Sequence, residues 1–137
     1  MRVGQYIYAK LSATTAVTNL VSSRIYPVYV PQDADLPAIA YRVSNKPKDR
    51  GMKDRPADHD ESAVTFTYVA DVSQGQNGYA ALDNIDEAVR DAIDYVSATA
   101  GSVTVESCHY DGSDDDIDAE RMALTRVATY TFITKNS

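Results

Sequence analysis

Cys108 and His109 stand side by side, and a thiol next to an imidazole is the equipment of nucleophilic catalysis. Their surroundings argue against that use. Residues 102–110 alternate, with Val103 and Val105 in phase, as in an extended strand. Neighbours in a strand point to opposite faces, so the two side chains do not meet. Cys108 reads instead as a small packing residue. It is the only cysteine, which leaves no intrachain disulfide and no thiolate set for zinc. Gly75 and Gly78 flank a turn, but no Lys-Ser/Thr follows them, so no phosphate-cradling loop is present. A Gly-x-Ser-x-Gly nucleophile elbow is also missing. No cofactor, metal or catalytic residue is expected.

Two charged segments carry more information. Asp111, Asp114, Asp115, Asp116, Asp118 and Glu120 form an acidic run. Calcium needs several oxygens converging on one point. The run lacks the central Gly and terminal Glu offsets of an EF-hand, and no helix pair flanks it. It reads as an acidic turn over 111–120, solvated or facing a partner. Its counterpart is Lys46, Lys48, Arg50, Lys53 and Arg55, which meet only Asp49 and Asp54, a local charge of +3 within a chain of −7. No aromatic residues interleave with these cations, which weakens a single-strand nucleic-acid reading. One basic and one acidic segment on a small domain suit head-to-tail self-association. The candidate interaction residues are therefore the five cations together with Asp114, Asp115, Asp116 and Asp118.

The elements that must position these segments follow from the rest of the sequence. At 137 residues the chain fits a single domain with a real core. Ten Tyr, two Phe and no Trp suit half-buried sheets and interfaces, since tyrosine buries a ring while its hydroxyl stays hydrated or bonded. The acidic balance, pI about 4.6, disfavours tracking a phosphate backbone. No apolar run approaches the roughly 18 residues of a membrane span. The N-terminal residues Met1 to Tyr6 lack a signal-peptide core. A protein made and kept soluble in the cytoplasm is expected.

Val3, Tyr6, Ile7 and Leu11 have helical spacing, and a second short helical turn restarts near Ser12 and Thr14 with Val17, Leu20 and Val21 inward. Pro27 and Pro31 confine residues 24–31 to an edge or extended segment. Ala38 to Val43 reads as a strand, with Ile39, Tyr41 and Val43 on one face. Residues 44–61 read as a long charged loop. Residues 63–72 alternate, with Val64, Phe66, Tyr68, Ala70 and Val72 facing one way and Thr65, Thr67 and Asp71 the other. The strongest helix spans about 78–97. Its stripe is Leu82, Ile85, Val89, Ala92, Ile93 and Val96, with Asp83, Glu87, Arg90, Asp91 and Asp94 mostly opposite. A last strand, about 122–134, turns Leu124, Ala128, Tyr130 and Phe132 to one face. Arg126 interrupts that face, which suggests that part of it meets another chain. The expected fold is α+β: an antiparallel sheet of about four strands with two helices covering one face.

Arg24-Ile25-Tyr26-Pro27, followed by Val30-Pro31-Gln32-Asp33-Ala34-Asp35-Leu36-Pro37-Ala38-Ile39-Ala40-Tyr41, resembles the signature of the bacteriophage tail terminator, or tail completion, family. The order over residues 3–43 and the later strand, long helix, strand, strand plan resemble it too. The resemblance implies a hexameric ring that caps the head-proximal end of a tail tube, stops its polymerisation and offers a docking surface to the head connector or stopper. It implies sheet edges that help build the ring, and genomic DNA passing through the lumen without specific binding. It implies a virion component at the neck, made in the host bacterial cytoplasm, with no membrane and no catalytic residues. The alternatives are another head–tail connector or neck ring or, in a different class, a small ligand- or nucleic-acid-binding α+β domain.

Overall fold

The computed structural model describes residues 3–31, 33, 35–45, 59–71, 78–94, 97–100, 103–118 and 122–135. Along the chain run α1 (Val3–Ala13), α2 (Thr15–Val21), β1 (Ile25–Pro27), β2 (Ala38–Asn45), β3 (His59–Asp71), α3 (Gly78–Ile93), β4 (Ala98–Ala100), β5 (Val103–Asp118) and β6 (Ala123–Lys135).

The helices form where the apolar spacing demands. Val3, Tyr6, Ile7 and Leu11 lie on one face of α1 and are all buried. Thr14 breaks the run. Its hydroxyl donates to the Lys10 carbonyl at 2.6 Å, satisfying an orphan acceptor at the helix end. Its own carbonyl accepts from Val17 and Thr18, so α2 begins at once. Leu82, Ile85, Val89 and Ile93 are the buried stripe of α3. The helix stops at Ile93, short of the expected 97, and the chain then makes the short strand β4.

The strands form one six-stranded sheet in the order β1-β2-β3-β6-β5-β4. The expected sheet was smaller and wholly antiparallel. Instead β1 pairs parallel with β2, Ile25 opposite Ile39 and Pro27 opposite Tyr41. Pro27, with no N–H to donate, lies on an edge strand as anticipated. The third helix, the short α2, was foreseen only as a helical turn. The expected loop 44–61 is trimmed at both ends, because β2 runs to Asn45 and β3 already begins at His59.

The core lies between helices and sheet. Val64, Phe66, Tyr68 and Ala70 of β3 and Leu124, Ala128, Tyr130 and Phe132 of β6 all turn inward. Val72 lies outside the described residues. Phe66 meets Tyr130 edge-on at 5.4 Å, and Tyr6 of α1 meets Phe132 at 6.0 Å. α3 lies on β3 and β6, while α1 touches β1 and β2 on one side and β4 and β5 on the other. A helix can reach both borders only if the sheet curls around it, as twisted sheets do. The opposite face carries Thr65, Thr67, Thr125, Thr129 and Thr131, none of them fully buried.

Candidate interaction surfaces

The acidic run is not a turn. Asp111 to Asp118 continue β5 and pair with β6, from Gly112 opposite Thr129 to Asp118 opposite Ala123. Strand pairing with a distant segment holds what local polarity alone does not specify. The register shifts twice, between Val105 and Ser107 and between Tyr110 and Gly112. Gly112 serves the second shift with φ 146°, a conformation that side chains rarely adopt; space is not the reason, since a Cβ there meets nothing within 4 Å.

The sheet separates the predicted acidic residues by face. Asp114 and Asp116 are exposed. Asp116 Oδ1 accepts from the Ile117 N–H at 2.8 Å, and Asp111 Oδ2 accepts from the Thr131 hydroxyl at 2.6 Å. Asp115 turns to the other face and binds Arg126, while remaining exposed. The side chain of Asp118 lies outside the described residues, as do Lys46, Lys48, Arg50, Lys53 and Arg55.

Arg126 occupies the inner face of β6, buried. The guanidinium donates to Asp115 in a fork, Nε to Oδ1 at 2.7 Å and Nη2 to Oδ2 at 3.1 Å. Nη1 lies 2.8 Å from Asp83 Oδ1 and 3.8 Å from Asp86 Oδ2. Arg90, one turn beyond Asp86, places Nη2 3.1 Å from Asp86 Oδ2 and stacks 3.9 Å over the Tyr110 ring. The suggestion that Arg126 opens the inner face to another chain therefore gives way: its partners are the chain's own carboxylates on α3 and β5. Two of the three carboxyls near it respond oppositely. The hydrogen bond from Arg126 holds Asp115 below the usual carboxylate range. Burial pushes Asp86 above it, and the charges of Arg90 and Arg126 only partly offset that.

Asp86 was the missed member of this network. Leu82, Ile85, Asp86 and Val89 stand at i, i+3, i+4 and i+7, which puts a carboxylate inside the apolar stripe. An arginine on the inner face of the facing strand was the matching signal. Asp94 is not simply solvated either: its Oδ1 accepts from the Tyr110 N–H at 3.1 Å. Chemically the cluster is an ion-pair staple between helix and hairpin.

Cys108 and His109 divide as alternation requires, Cys108 buried and His109 exposed. Burial first, then Asp94 and Asp111, pushes the Cys108 thiol up to about 12, so it stays a protonated packing group. Among the described residues no cluster of His, Cys, Asp or Glu could hold a metal ion, and no helix is long and apolar enough to cross a membrane.

Among the described residues the exposed large apolar side chains include Tyr8, Tyr79 and Val127 and those of two tips that sequence patterning does not single out. The first follows β1. The Val28 N–H donates to the Tyr41 carbonyl at 2.8 Å, and the Tyr29 N–H donates back to the Pro27 carbonyl at 2.9 Å. Val28 thus sits at the centre of a three-residue turn with φ 72°. That is the strained hand of the γ-turn, and for a β-branched residue it costs about 1–3 kcal/mol. The Arg24 Nε donates to the Pro37 carbonyl at 2.8 Å and braces the segment from behind. Val28 and Tyr29 are left 62% and 69% exposed. The second tip ends the β5–β6 hairpin, where Ile117 is 57% and Met122 46% exposed.

Residues 5–135 match the family model of the tail completion protein gp17. No curated protein matches the chain in sequence. In fold, the chain is similar to one from the virion of a native gene transfer agent particle, with TM-score 0.67 and 15% identity over 96% of this chain and 92% of that one. A second solved structure aligns over 100% of this chain and 98% of its own, with TM-score 0.61 and 6% identity.

Proposed function

The chain belongs to the tail completion protein gp17 family, and from that premise we propose that it forms a ring on the head-proximal end of a phage tail tube. Membership makes it a structural component of a phage-type virion, not an enzyme. In the proposed role the ring ends tube polymerisation and presents a docking surface to the head connector or stopper. The observation that carries this reading is the family match across nearly the whole chain. The hexameric count comes from the resemblance of Arg24–Tyr41 to the tail terminator signature.

The chemistry of the chain supports the role. A net charge of −7 suits a ring through which genomic DNA must pass without being gripped, since like charges repel. The basic segment Lys46, Lys48, Arg50, Lys53 and Arg55 is proposed to meet an acidic surface of a neighbouring subunit or of the tube. Asp114, Asp115, Asp116 and Asp118 are proposed as such a surface, the first three exposed on β5.

The test is a tail preparation in which this protein is labelled. Label at the head-proximal end of the tube, and tails of uncontrolled length when the gene is disrupted, are the expected results. Label elsewhere in the virion would reject the terminator role. Retention on a DNA column with a steep salt dependence would favour the nucleic-acid-binding alternative.

A further inference from the structure

The register of β1 fixes which of its backbone groups face out of the sheet. Ile25 lies opposite Ile39 and Pro27 opposite Tyr41 in a parallel pair. The Ile39 N–H donates to the Arg24 carbonyl at 3.0 Å, and the Val28 N–H donates to the Tyr41 carbonyl at 2.8 Å. A parallel ladder uses alternate residues. Arg24, Tyr26 and Val28 therefore turn their backbone groups to β2, while Ile25 and Pro27 turn theirs to the border of the sheet. A bare border of this kind is a template for a strand of another chain.

Little of that template is left open. Pro27 has no N–H to offer. Its carbonyl accepts the Tyr29 N–H at 2.9 Å across the knuckle centred on Val28. At the other end of β1 the Ile25 N–H donates to the Ser23 carbonyl at 2.8 Å. Among the described residues only the Ile25 carbonyl of this border lacks a backbone partner. An incoming strand would meet one acceptor and no donor. The positive φ of Val28 thus has a use within one copy. It is the conformation that folds the Tyr29 N–H back onto the Pro27 carbonyl. The opposite border differs. β4 pairs with β5 over Ala98–Ala100, and among the described residues no backbone hydrogen bond outside that ladder involves these three.

We propose that the Val28–Tyr29 turn is an edge guard: it closes the β1 border to strand pairing with any other chain and leaves strand addition to the β4 border. The inference does not rest on the ring reading. It limits any contact between copies, because a sheet that runs continuously from copy to copy through β1 is excluded. Two substitutions open the border. Pro27→Val restores an outward N–H, and Tyr29→Pro removes the donor that occupies the carbonyl of residue 27. Tyr26 reports the result. Two antiparallel copies of β1 would set residue 26 opposite its equivalent in a non-hydrogen-bonded pair, where side chains come close. Tyr26→Cys in the opened chain should therefore give disulfide-linked dimers on oxidation. Self-association of the opened chain, read by sedimentation, should tighten roughly tenfold or more over the unaltered chain. Tyr26→Cys alone should give no such dimers, and the buried Cys108 stays silent. Circular dichroism and the unfolding midpoint check that the opened chain is folded. A folded, opened chain that associates no more tightly and forms no disulfide-linked dimer would overturn the guard. Ready dimerisation of Tyr26→Cys alone, a test that needs no opened chain, would overturn it as well.

Discussion

The two halves of β5 are one strand held by two different kinds of force. Over residues 103–110 the inward side chains Val105 and Cys108 are buried, and Tyr110 packs edge-on against Tyr130 at 5.3 Å. Over residues 111–117 no side chain is fully buried, and the inward anchor is the fork from Arg126 to Asp115. The first half is fixed by apolar area removed from water, which is worth about 25 cal/mol per Å². The second half is fixed by its backbone ladder to β6 and one charged staple. A strand held in the second way keeps its outward surface available, and that is where the exposed Asp114 and Asp116 stand.

Phe132, opposite Cys108 in the first half, should be the costliest position to truncate. Phe132→Ala should lose about 3–5 kcal/mol in denaturant unfolding through lost burial and a cavity. Leu82→Ala, on the helix above, belongs to the same class at about 2–5 kcal/mol. If either left the unfolding midpoint unchanged, the helix-covered half would not be the source of stability.

Arg126→Ala tests the second half. It frees Asp115 and leaves the buried Asp86 with Arg90 alone, and should cost about 2–4 kcal/mol, below the full penalty of a sealed pair because Asp83 is exposed. Hydrogen exchange should show residues 111–118 opening while 103–108 stay protected. Uniform opening would mean that the two halves are not distinct.

Asp115→Asn is a smaller change with a pH signature. The folded protein holds Asp115 below the usual range, so its pairing stabilises above the unfolded value, about 3.9, and is lost as pH falls through the lower folded value. The substitution should cost about 1–2 kcal/mol at neutral pH and flatten the acid limb of the stability curve. Asp86 has the opposite sign. Its raised value means protonation relieves the folded state, so Asp86→Asn should retain stability at low pH and alter it least there. Curves of the two variants that run parallel would contradict this assignment. The smallest effect belongs to Asp114→Asn combined with Asp116→Asn. Both are exposed, and monomer stability should move by no more than about 0.5 kcal/mol. Assembly should weaken, and its salt dependence should become shallower.

Most of the first half was legible in the sequence. Apolar spacing placed Tyr6, Ile7 and Leu11 on α1, Leu82, Ile85, Val89 and Ile93 on α3, and the inward residues of β3 and β6, because burial writes its period directly into the chain. The second half was not legible. Asp-Gly-Ser-Asp-Asp-Asp has the composition of a turn, and its strand conformation depends on pairing with β6, which no local pattern reports. The parallel pairing of β1 escaped for the same reason. Arg126 stands out as an anomaly on an apolar face, whereas its partner Asp86 is hidden inside an otherwise apolar stripe. The family was legible through Arg24–Tyr41, while the knuckle at Val28 within that stretch was not, since its φ is a property of the folded backbone.

The place of β6 has a consequence for the timing of folding. This strand lies between β3 and β5, yet it is the last of the strands to be synthesised. Until residues 123–135 have left the ribosome, β1-β2-β3 and β4-β5 are two fragments with open edges and no strand between them, α1 alone touching both. Every contact that joins them spans a long sequence separation and is slow to form. A nascent chain in that interval exposes Phe66 and Tyr68 along an unpaired β3 edge, the kind of surface that holdase chaperones recognise. Arrest of translation before residue 123 should therefore yield a protease-sensitive, chaperone-bound chain, and release of the last strand should convert it in a single cooperative step.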